Sequence, residues 1–212
     1  MESYLKMLCV RLLAMRDLLA DEGTIWVHLD WHSVHYVKTL LDEIFGDRNF
    51  VNEIIWQYKS GGSSKRHFAR KHDTILVYGK TPKYYLELPK EKSYNRGMKP
   101  YRFKGIVEFC DEQGWYTMVN MKDVWNIDMV GRTSAERTGY ATQKPEALLL
   151  RILEAGSRPG DLVCDFFGGS GTLGAAAGKS GRRWICCDSA DWEINCRSAA
   201  AEMLRQSAIS ST

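Results

Sequence analysis

The stretch "DFFGGSGTLGAAAGKSG", from Asp165 to Gly181, most constrains what this chain can fold into. It follows the short apolar run "DLVCD" and continues into an alanine-rich segment. A strand, a glycine turn and a helix in this order form the unit with which many α/β folds bind nucleotide-like ligands. The residues around the glycines decide which ligand such a turn suits.

A P-loop does not fit this stretch. The sequence "GAAAGKS" has one residue too few between its glycines for the GxxxxGK[ST] pattern. It also falls at the end of the predicted helix, where its amides cannot hold a phosphate as a helix N-terminus does.

The sequence matches the pattern of a dinucleotide site more closely. Gly169, Gly171 and Gly174 match GxGxxG, and Asp188 ends the next predicted strand, where a ribose-binding acid belongs. However, a carboxylate at Asp165 would face the negative pyrophosphate. Only one predicted helix follows Asp188, so the further strands of a dinucleotide domain have no sequence there.

S-adenosylmethionine fits the charges of the turn. This ligand carries an ammonium and a sulfonium, so an acid at the end of the strand is favourable. Glycines let the backbone approach a ligand closely. Asp188 is then predicted to hold the ribose hydroxyls, and Trp192 to flank the adenine. A tight strand-to-helix turn without any ligand remains the alternative.

Composition limits the class of protein. The chain has 212 residues, 44% of them hydrophobic, which is enough for one domain with an insertion. No apolar run is long enough to span a membrane. Six cysteines without a CxxC pair predict reduced thiols and a cytoplasmic location. A net charge of +3 is too small to indicate a nucleic-acid partner by itself.

The apolar pattern predicts an α/β chain in two parts separated by an insertion. The first part contains a helix ending near Gly23, the strand "TIWVHLD", the helix "HYVKTLLDEIFG", and the strands "FVNEIIWQY" and "DTILVYGK". The second contains the helix "KPEALLLRILEAG" capped by Gly156, the strands "DLVCDFF" and "RWICCD", the helix "GTLGAAAGKSG" between them, and a last helix, "WEINCRSAAAEMLRQ". The predicted ranges are 1–80 for the first half, 81–140 for an irregular insertion, 141–206 for the second half, and 207–212 for a frayed tail.

The stretch "TGYATQKPEALLLRILEAGSRPGDLVCDFFGGSGT" resembles the joined motifs of the amino-specific DNA methyltransferases, the N4-cytosine/N6-adenine family. Phe166 departs from the family pattern, which has proline there. The segments "LLADEGTIWVHLDWHSVHYVKTLLDEIFGDRNFVNEIIWQY" and "KHDTILVYGK" look like family segments that follow the catalytic loop and close the target-base pocket. The resemblance is to the permuted subgroup that includes type III modification methylases.

This resemblance implies a Rossmann-like, circularly permuted methyltransferase fold with an inserted target-recognition region. It implies DNA as partner, S-adenosylmethionine as cofactor, adenine N6 as target, and a restriction-modification system as setting, with no role for a membrane. The implied cofactor residues are Lys144, Pro145, Asp165, Phe166, Phe167, Gly168, Gly169, Ser170, Gly171, Thr172, Asp188 and Trp192.

The family's catalytic signature, [DNS]-P-P-[FYW], is missing from this sequence, because no two of its five prolines are adjacent. The resemblance therefore predicts an incomplete and inactive chain that lacks the central strand leading into that signature. The alternatives are a non-catalytic module that binds cofactor or DNA, and one subunit of a split enzyme. The predicted protein partner is a second copy of the chain in a homodimer, or a different chain that supplies the missing strand.

A basic loop and a histidine group complete the candidate residues. The loop holds Lys59, Lys65, Arg66, Arg70 and Lys71 among glycines and serines, which suits the tracking of phosphates as well as a solvated surface. His28, His32 and His35 have no cysteine or carboxylate at ligand spacing, so no metal site is predicted.

Overall fold

A computed structural model of the chain describes residues 1–59 and 62–189. Trp192, the last predicted helix and the predicted frayed tail lie outside the described residues. None of the helices in the described ranges has the length and apolar character that crossing a bilayer requires.

In the described residues, helices and strands alternate in the first and last parts of the chain, and a run of short strands lies between these parts. The helices are α1 (Glu2–Leu18), α2 (Val34–Phe45), α3 (Glu146–Gly156) and α4 (Thr172–Lys179). The strands are β1 (Thr24–Leu29), β2 (Phe50–Gln57), β3 (His72–Gly79), β4 (Lys90–Tyr94), β5 (Phe109–Asp111), β6 (Gly114–Asn120), β7 (Val124–Asn126), β8 (Leu162–Asp165) and β9 (Arg183–Cys186). Short 3-10 turns cover Asp47–Asn49 and Arg96–Met98. The order of helices and strands predicted for the two halves is confirmed as far as β9.

The larger sheet has the strand order β1-β3-β2-β7. Strand β3 runs antiparallel to both β1 and β2, and β7 joins β2 in parallel. The apolar run Ile75–Tyr78 in β3 is at most 1% exposed. A strand buried on both faces needs such a continuous apolar run rather than an alternating one.

Helices α1 and α2 pack on one face of this sheet. Their core side chains Leu12, Val37 and Leu41 join Leu76 and Tyr78 in one cluster. Each such side chain, when fully buried, stabilises the fold by about 1.5–3 kcal/mol. The prediction that the first helix ends near Gly23 is wrong, since α1 stops at Leu18 and a turn intervenes.

The buried Tyr78 hydroxyl ties α2 to the sheet. It donates to Asp42 Oδ1 at 2.7 Å, and Lys38 of the same helix donates to both oxygens of that carboxylate. Burial, followed by the neighbouring Asp42, raises the pKa of Tyr78 well above its ordinary value. The phenol therefore stays a donor throughout the physiological range.

Helix α3 is held against the aromatic side chains of the same sheet. The Arg151 guanidinium lies 5.3 Å from the centre of the Trp125 ring. A β-carbon at Gly156 would come within 2.7 Å of the Trp26 indole nitrogen. Gly156 is the last helical residue and Ser157 is the cap, so the predicted glycine cap is wrong and the glycine serves close packing instead.

The second half builds a two-stranded parallel sheet, β8-β9. Helices α3 and α4 cover it through a cluster of Leu153, Leu173, Ala176 and Ala177. The small residues of α4 let the helix lie close to β9, and a β-carbon at Gly174 would sit 3.1 Å from the Trp184 ring. The third glycine of the literal GxGxxG match is thus explained by packing.

The two sheets have open edges that face no strand among residues 1–59 and 62–189. Strand β1 pairs only with β3, and β8 pairs only with β9. Leu162 of β8 and Ile185 of β9 are 51% and 47% exposed.

The insertion contains a separate compact unit, Glu87–Lys122. Its strands form an antiparallel sheet of order β4-β6-β5. Asp111 accepts hydrogen bonds from Lys92 at 2.6 Å and Tyr94 at 2.9 Å, and these bonds, led by that from Lys92, lower its pKa to about 2. The predicted insertion of 81–140 is too long at both ends, because residues 81–86 and the chain from Asp123 onward, including β7, belong to the main unit.

Candidate functional site

The glycine turn joins the end of β8 to the start of α4 and is bound tightly to the end of β9. The Gly168 N–H donates to the Cys187 carbonyl at 2.9 Å, and the Cys187 N–H donates to the Asp165 carbonyl at 2.8 Å. Gly169 and Gly171 have φ values of +49° and +74°, which favour glycine. The turn is therefore fixed by backbone bonds before any ligand arrives.

Gly168 shows what the glycines make room for. A β-carbon there would lie 2.0 Å from Cys186 Sγ and 3.3 Å from the Cys187 carbonyl oxygen. At Gly169 a β-carbon would lie 3.1 Å from the Tyr140 ring. The absent side chains thus make room for protein atoms of β9 and of the segment before α3.

Two carboxylates converge on this turn. Asp165 Oδ1 accepts the Phe167 N–H at 3.0 Å, and Asp188 Oδ2 accepts the Gly169 N–H at 2.7 Å. Burial raises the pKa of Asp165, and the nearby charge of Asp188 raises it further, against the bond from Phe167. Two carboxylates this close together favour the binding of a positively charged group.

The predicted residues before α3 lie beside the turn. The Thr172 hydroxyl donates to the Lys144 carbonyl at 3.3 Å and lies 2.8 Å from the Ser170 hydroxyl. Pro145 occupies the N-cap position of α3. Burial lowers the pKa of Lys144, an effect that Asp73 partly offsets. The structure therefore brings Lys144, Pro145, Ser170 and Thr172 together with the glycine turn.

Phe166 and Phe167 lie at the start of the turn. The side chain of Phe167 is 51% exposed. Phe166 is partly buried. Trp192, the predicted neighbour of an adenine, lies outside the described residues.

Two residues near the turn escaped the sequence prediction. Tyr140 packs on Gly169, and the buried Gln143 accepts from the backbone and hydroxyl of Thr138 while it donates to the Glu136 carbonyl. Gln143 thereby fixes the loop that carries Tyr140. Both residues lie within "TGYATQKP", but only the contacts across the loop reveal what they do.

A polar cluster at the neighbouring sheet was also missed. His28 Nε2 lies 2.9 Å from Asp73 Oδ2, and the Tyr58 hydroxyl donates to Asp73 Oδ1 at 3.2 Å. The His28 ring meets the buried Trp56 ring edge to face at 5.4 Å. The described residues contain no group of three His, Cys, Asp or Glu side chains suited to a metal ion. His28 has a carboxylate partner instead.

The predicted basic loop leaves the sheet after β2. Residues 62–70 are all exposed, including Lys65, Arg66 and Arg70. Lys59 Nζ lies 3.7 Å from Asp128, and Lys71 Nζ donates to the Lys59 carbonyl at 3.3 Å. The structure thus places the five cations in one loop.

Comparison with known proteins identifies the family. The profile of the family described as DNA methylase (N6_N4_Mtase) matches residues 1–196. The chain belongs to this DNA methylase family. The predicted resemblance to amino-specific DNA methyltransferases is therefore confirmed.

Curated relatives agree with this membership. The type II methyltransferase M.EcaI of Enterobacter cloacae is 30% identical over 246 aligned residues, which cover 88% of this chain and 54% of the relative. M2.DpnII of Streptococcus pneumoniae is 31% identical over 176 residues, covering 82% and 58%. The chain thus spans little more than half of the length of these relatives.

Solved structures of methylases share the fold. The cytosine-N4-specific PvuII DNA methyltransferase superposes with a TM-score of 0.68 at 15% identity, covering 95% of this chain and 71% of that one. The M1.HpyAVI complex with S-adenosylmethionine gives 0.61 at 20% identity, covering 93% and 82%. The Rossmann-like methyltransferase fold class is confirmed, while the circular permutation stays a prediction.

Proposed function

We propose that the chain binds S-adenosylmethionine at the glycine turn and belongs to an enzyme that methylates amino groups of DNA bases. The cofactor proposal rests on the convergence of Asp165 and Asp188 on the turn. Burial and the charge of Asp188 raise the pKa of Asp165. A cationic ligand relieves that repulsion, whereas a pyrophosphate would add to it.

The residues around the turn suit different parts of such a ligand. Asp165 balances positive charge at the centre, and Asp188, two residues beyond β9, is proposed to accept from the ribose hydroxyls. Lys144 and Pro145 border the methionine end, beside the Thr172 hydroxyl. S-adenosylmethionine, when bound, supplies a methyl group on a sulfonium. The protein's part is to hold this end of the ligand and to exclude water.

Replacement of Asp165 by Asn should weaken cofactor binding and at the same time stabilise the ligand-free protein at neutral pH. The amide keeps an oxygen for the Phe167 N–H but removes the charge. Loss of a charge-assisted contact should lower affinity by about 10- to 100-fold. Calorimetric titration with S-adenosylmethionine and thermal unfolding measure the two effects.

The sign of the stability effect follows from the raised pKa of Asp165. An acid whose pKa is raised on folding contributes stability below its unfolded pKa and loses it as pH rises through the folded value. The Asn variant should therefore gain stability near pH 7 and lose this advantage in acid. Affinity of the natural chain should fall as pH drops towards the raised pKa, because the protonated acid no longer attracts a cation.

Two further variants make this prediction sharper. Asp188→Ala should weaken cofactor binding and also destabilise the protein, because the Gly169 N–H loses its acceptor. Asp161→Asn, in the turn before β8, keeps an oxygen for the Arg158 N–H that Asp161 accepts at 2.7 Å, and it should leave cofactor affinity unchanged. Unchanged affinity in the Asp165 variant, or tight binding of NAD by the natural chain, would contradict the cofactor proposal.

DNA binding is proposed for the basic loop. Its support is the grouping of the exposed Lys65, Arg66 and Arg70 with the partly buried Lys71 in one connection, together with membership of the methylase family. Phosphate contacts by such cations release counterions and make binding salt-dependent. The proposed target is the exocyclic N6 of adenine, on the basis of the sequence resemblance.

Neutralising Lys65, Arg66, Arg70 and Lys71 to Gln should weaken DNA binding for all sequences. The slope of log affinity against log salt should become shallower by roughly one for each phosphate that the variant no longer neutralises. Fluorescence anisotropy over a salt series measures this. A control of equal charge, with Lys6, Arg11, Arg16 and Lys83 changed to Gln, should affect the slope far less. Equal effects in both variants would show that net charge, not the loop, holds the DNA.

We also propose that this chain on its own does not transfer the methyl group. The support is the lack of adjacent prolines in the sequence and the open edges of β1 and β8 among the described residues.

A further inference from the structure

Phe68 is the most exposed large apolar side chain of the described residues, at 97%. It lies in the basic loop, between Arg66 and Arg70. Most of its neighbours in the loop are hydrophilic, and all of residues 62–70 are exposed. A phenyl ring exposed in this way has no packing role in the fold, which indicates a role in a contact between the loop and a binding partner.

The second half of the loop is anchored close to this ring. The Arg70 guanidinium lies 3.7 Å from the centre of the Trp31 ring, just after β1. Trp31 is itself 46% exposed. At the base of the loop, the Tyr58 N–H donates to the Lys71 carbonyl at 2.9 Å. Phe68 therefore lies only two and three residues before Arg70 and Lys71, which attach the loop to residues at the ends of β1 and β2.

We propose that Phe68 inserts between the bases of DNA and stacks on them at an opened step. This inference rests on the proposed DNA binding of the same loop. Nucleic acid is the partner whose surface alternates as this loop does, with phosphates for the cations and flat apolar bases for the ring. Apolar wedges of this kind unstack base steps and stabilise distorted duplexes.

The position of the loop gives such a wedge a purpose. An enzyme that modifies a base amine must take the base out of the duplex stack, which leaves a gap. The loop leaves β2 next to Tyr58, whose hydroxyl donates to Asp73 beside His28. A ring that fills the gap from this loop would hold the opened step near that end of the sheet.

The test compares two DNA duplexes of the same sequence, one intact and one with a single abasic site. The abasic duplex offers a ready gap, so an inserting ring should favour it. The natural chain should bind the abasic duplex more tightly, and Phe68→Ala should lose about tenfold in affinity for it, the scale of one removed stacking aromatic. Phe68→Trp should retain the preference.

Salt dependence separates the ring from the cations. Phe68→Ala should leave the salt slope unchanged, because stacking releases no counterions. Lys65→Gln, the matched control in the same loop, should make the slope shallower and lower the affinity for both duplexes equally. Thermal unfolding should be the same for all variants, since both side chains are exposed.

Each outcome decides a different proposal. Absence of DNA binding by the natural chain would remove the proposed function and the wedge together. DNA binding with the same abasic preference in Phe68→Ala would overturn the wedge alone. Sedimentation analysis completes the test, because a dimer that Phe68→Ala dissociates, with DNA binding unchanged, would assign the ring to a second copy of the chain.

Discussion

Replacement of Gly168 by Ala should destabilise the protein and remove cofactor binding in one step. The new methyl group would meet Cys186 Sγ at 2.0 Å and the Cys187 carbonyl oxygen at 3.3 Å. Overpacking of a fitted site costs about 1–3 kcal/mol, which lowers the unfolding midpoint of a chain this size by several degrees. Either the Cys186 thiol or the turn must shift to relieve the contact. We expect the turn to move away from β9, which would separate Asp165 from Asp188.

A second substitution tests the cause. Cys186→Ala removes the sulfur that blocks the new methyl group, so the double variant should recover most of the lost stability and affinity. Cys186→Ala alone should have only a small effect. The control is Gly178→Ala, in α4, where a β-carbon meets nothing within 4 Å. Alanine there should stabilise the helix slightly.

Two results would contradict this explanation. If the double variant is as unstable as Gly168→Ala, the conformation of the turn rather than Cys186 excludes the side chain. If Gly168→Ala binds S-adenosylmethionine normally despite its lower stability, the cofactor does not depend on the turn. The second result would also count against the proposed function.

The elements that the sequence predicted are those with strong local signals. Helix α2 has an apolar stripe and stops at Gly46, whose φ of +87° suits only glycine well. Strand β3 carries a continuous apolar run bounded by polar residues. Such signals need no knowledge of distant parts of the chain. The predicted caps at Gly23 and Gly156 failed because glycine also serves turns and close packing.

Strand β7 shows what local patterns cannot provide. Val124–Asn126 pairs in parallel with the end of β2, about 70 residues earlier. Backbone bonds flank this pairing, from the Ile55 N–H to the Asp123 carbonyl at 2.8 Å and from the Ile127 N–H to the Gln57 carbonyl at 3.1 Å. Three residues have too little periodicity to predict a strand. The sequence therefore assigned this segment to the irregular insertion, while the structure adds it to the main sheet.

The same distinction holds at the candidate site. Asp165, the glycines and Asp188 follow one another in a βα unit, so their proximity could be predicted from order alone. His28, Tyr58 and Asp73 lie on or beside three different strands, and His28 meets Asp73 across 45 positions of sequence. Only the pairing of β3 with both β1 and β2 brings these groups together, and no motif in the sequence indicates that pairing.

The natural chain, incubated with radiolabelled S-adenosylmethionine and mixed-sequence DNA, should leave the DNA unlabelled. Transfer to an exocyclic amine needs groups that hold the flipped base and orient its nitrogen. In the family that the sequence resembles, a signature of the Asp-Pro-Pro-Tyr type supplies these groups. No two prolines of this sequence are adjacent. We therefore expect no methyl transfer to DNA, although the chain still binds the cofactor.

The edges of the sheets indicate where such a signature would have to enter. Strands β1 and β8 each use only one side for pairing among the described residues. Open strand edges present unpaired backbone groups that a further strand satisfies. We propose, as the family resemblance implies, that the missing strand lies between β1 and β8 and leads into the signature near Asp165.

A fusion that adds a strand and an Asp-Pro-Pro-Tyr sequence ahead of Met1 should raise the unfolding midpoint and bring labelling of DNA. Chromatography of the hydrolysed DNA then shows whether the label is on adenine, as proposed, or on cytosine. The control fusion carries Ala-Pro-Pro-Ala, which should stabilise the sheet equally without labelling. Strong labelling by the natural chain would show that other residues orient the amine, and the proposed inactivity would be wrong. Stabilisation without labelling in the first fusion would place the strand correctly but contradict the role given to its signature.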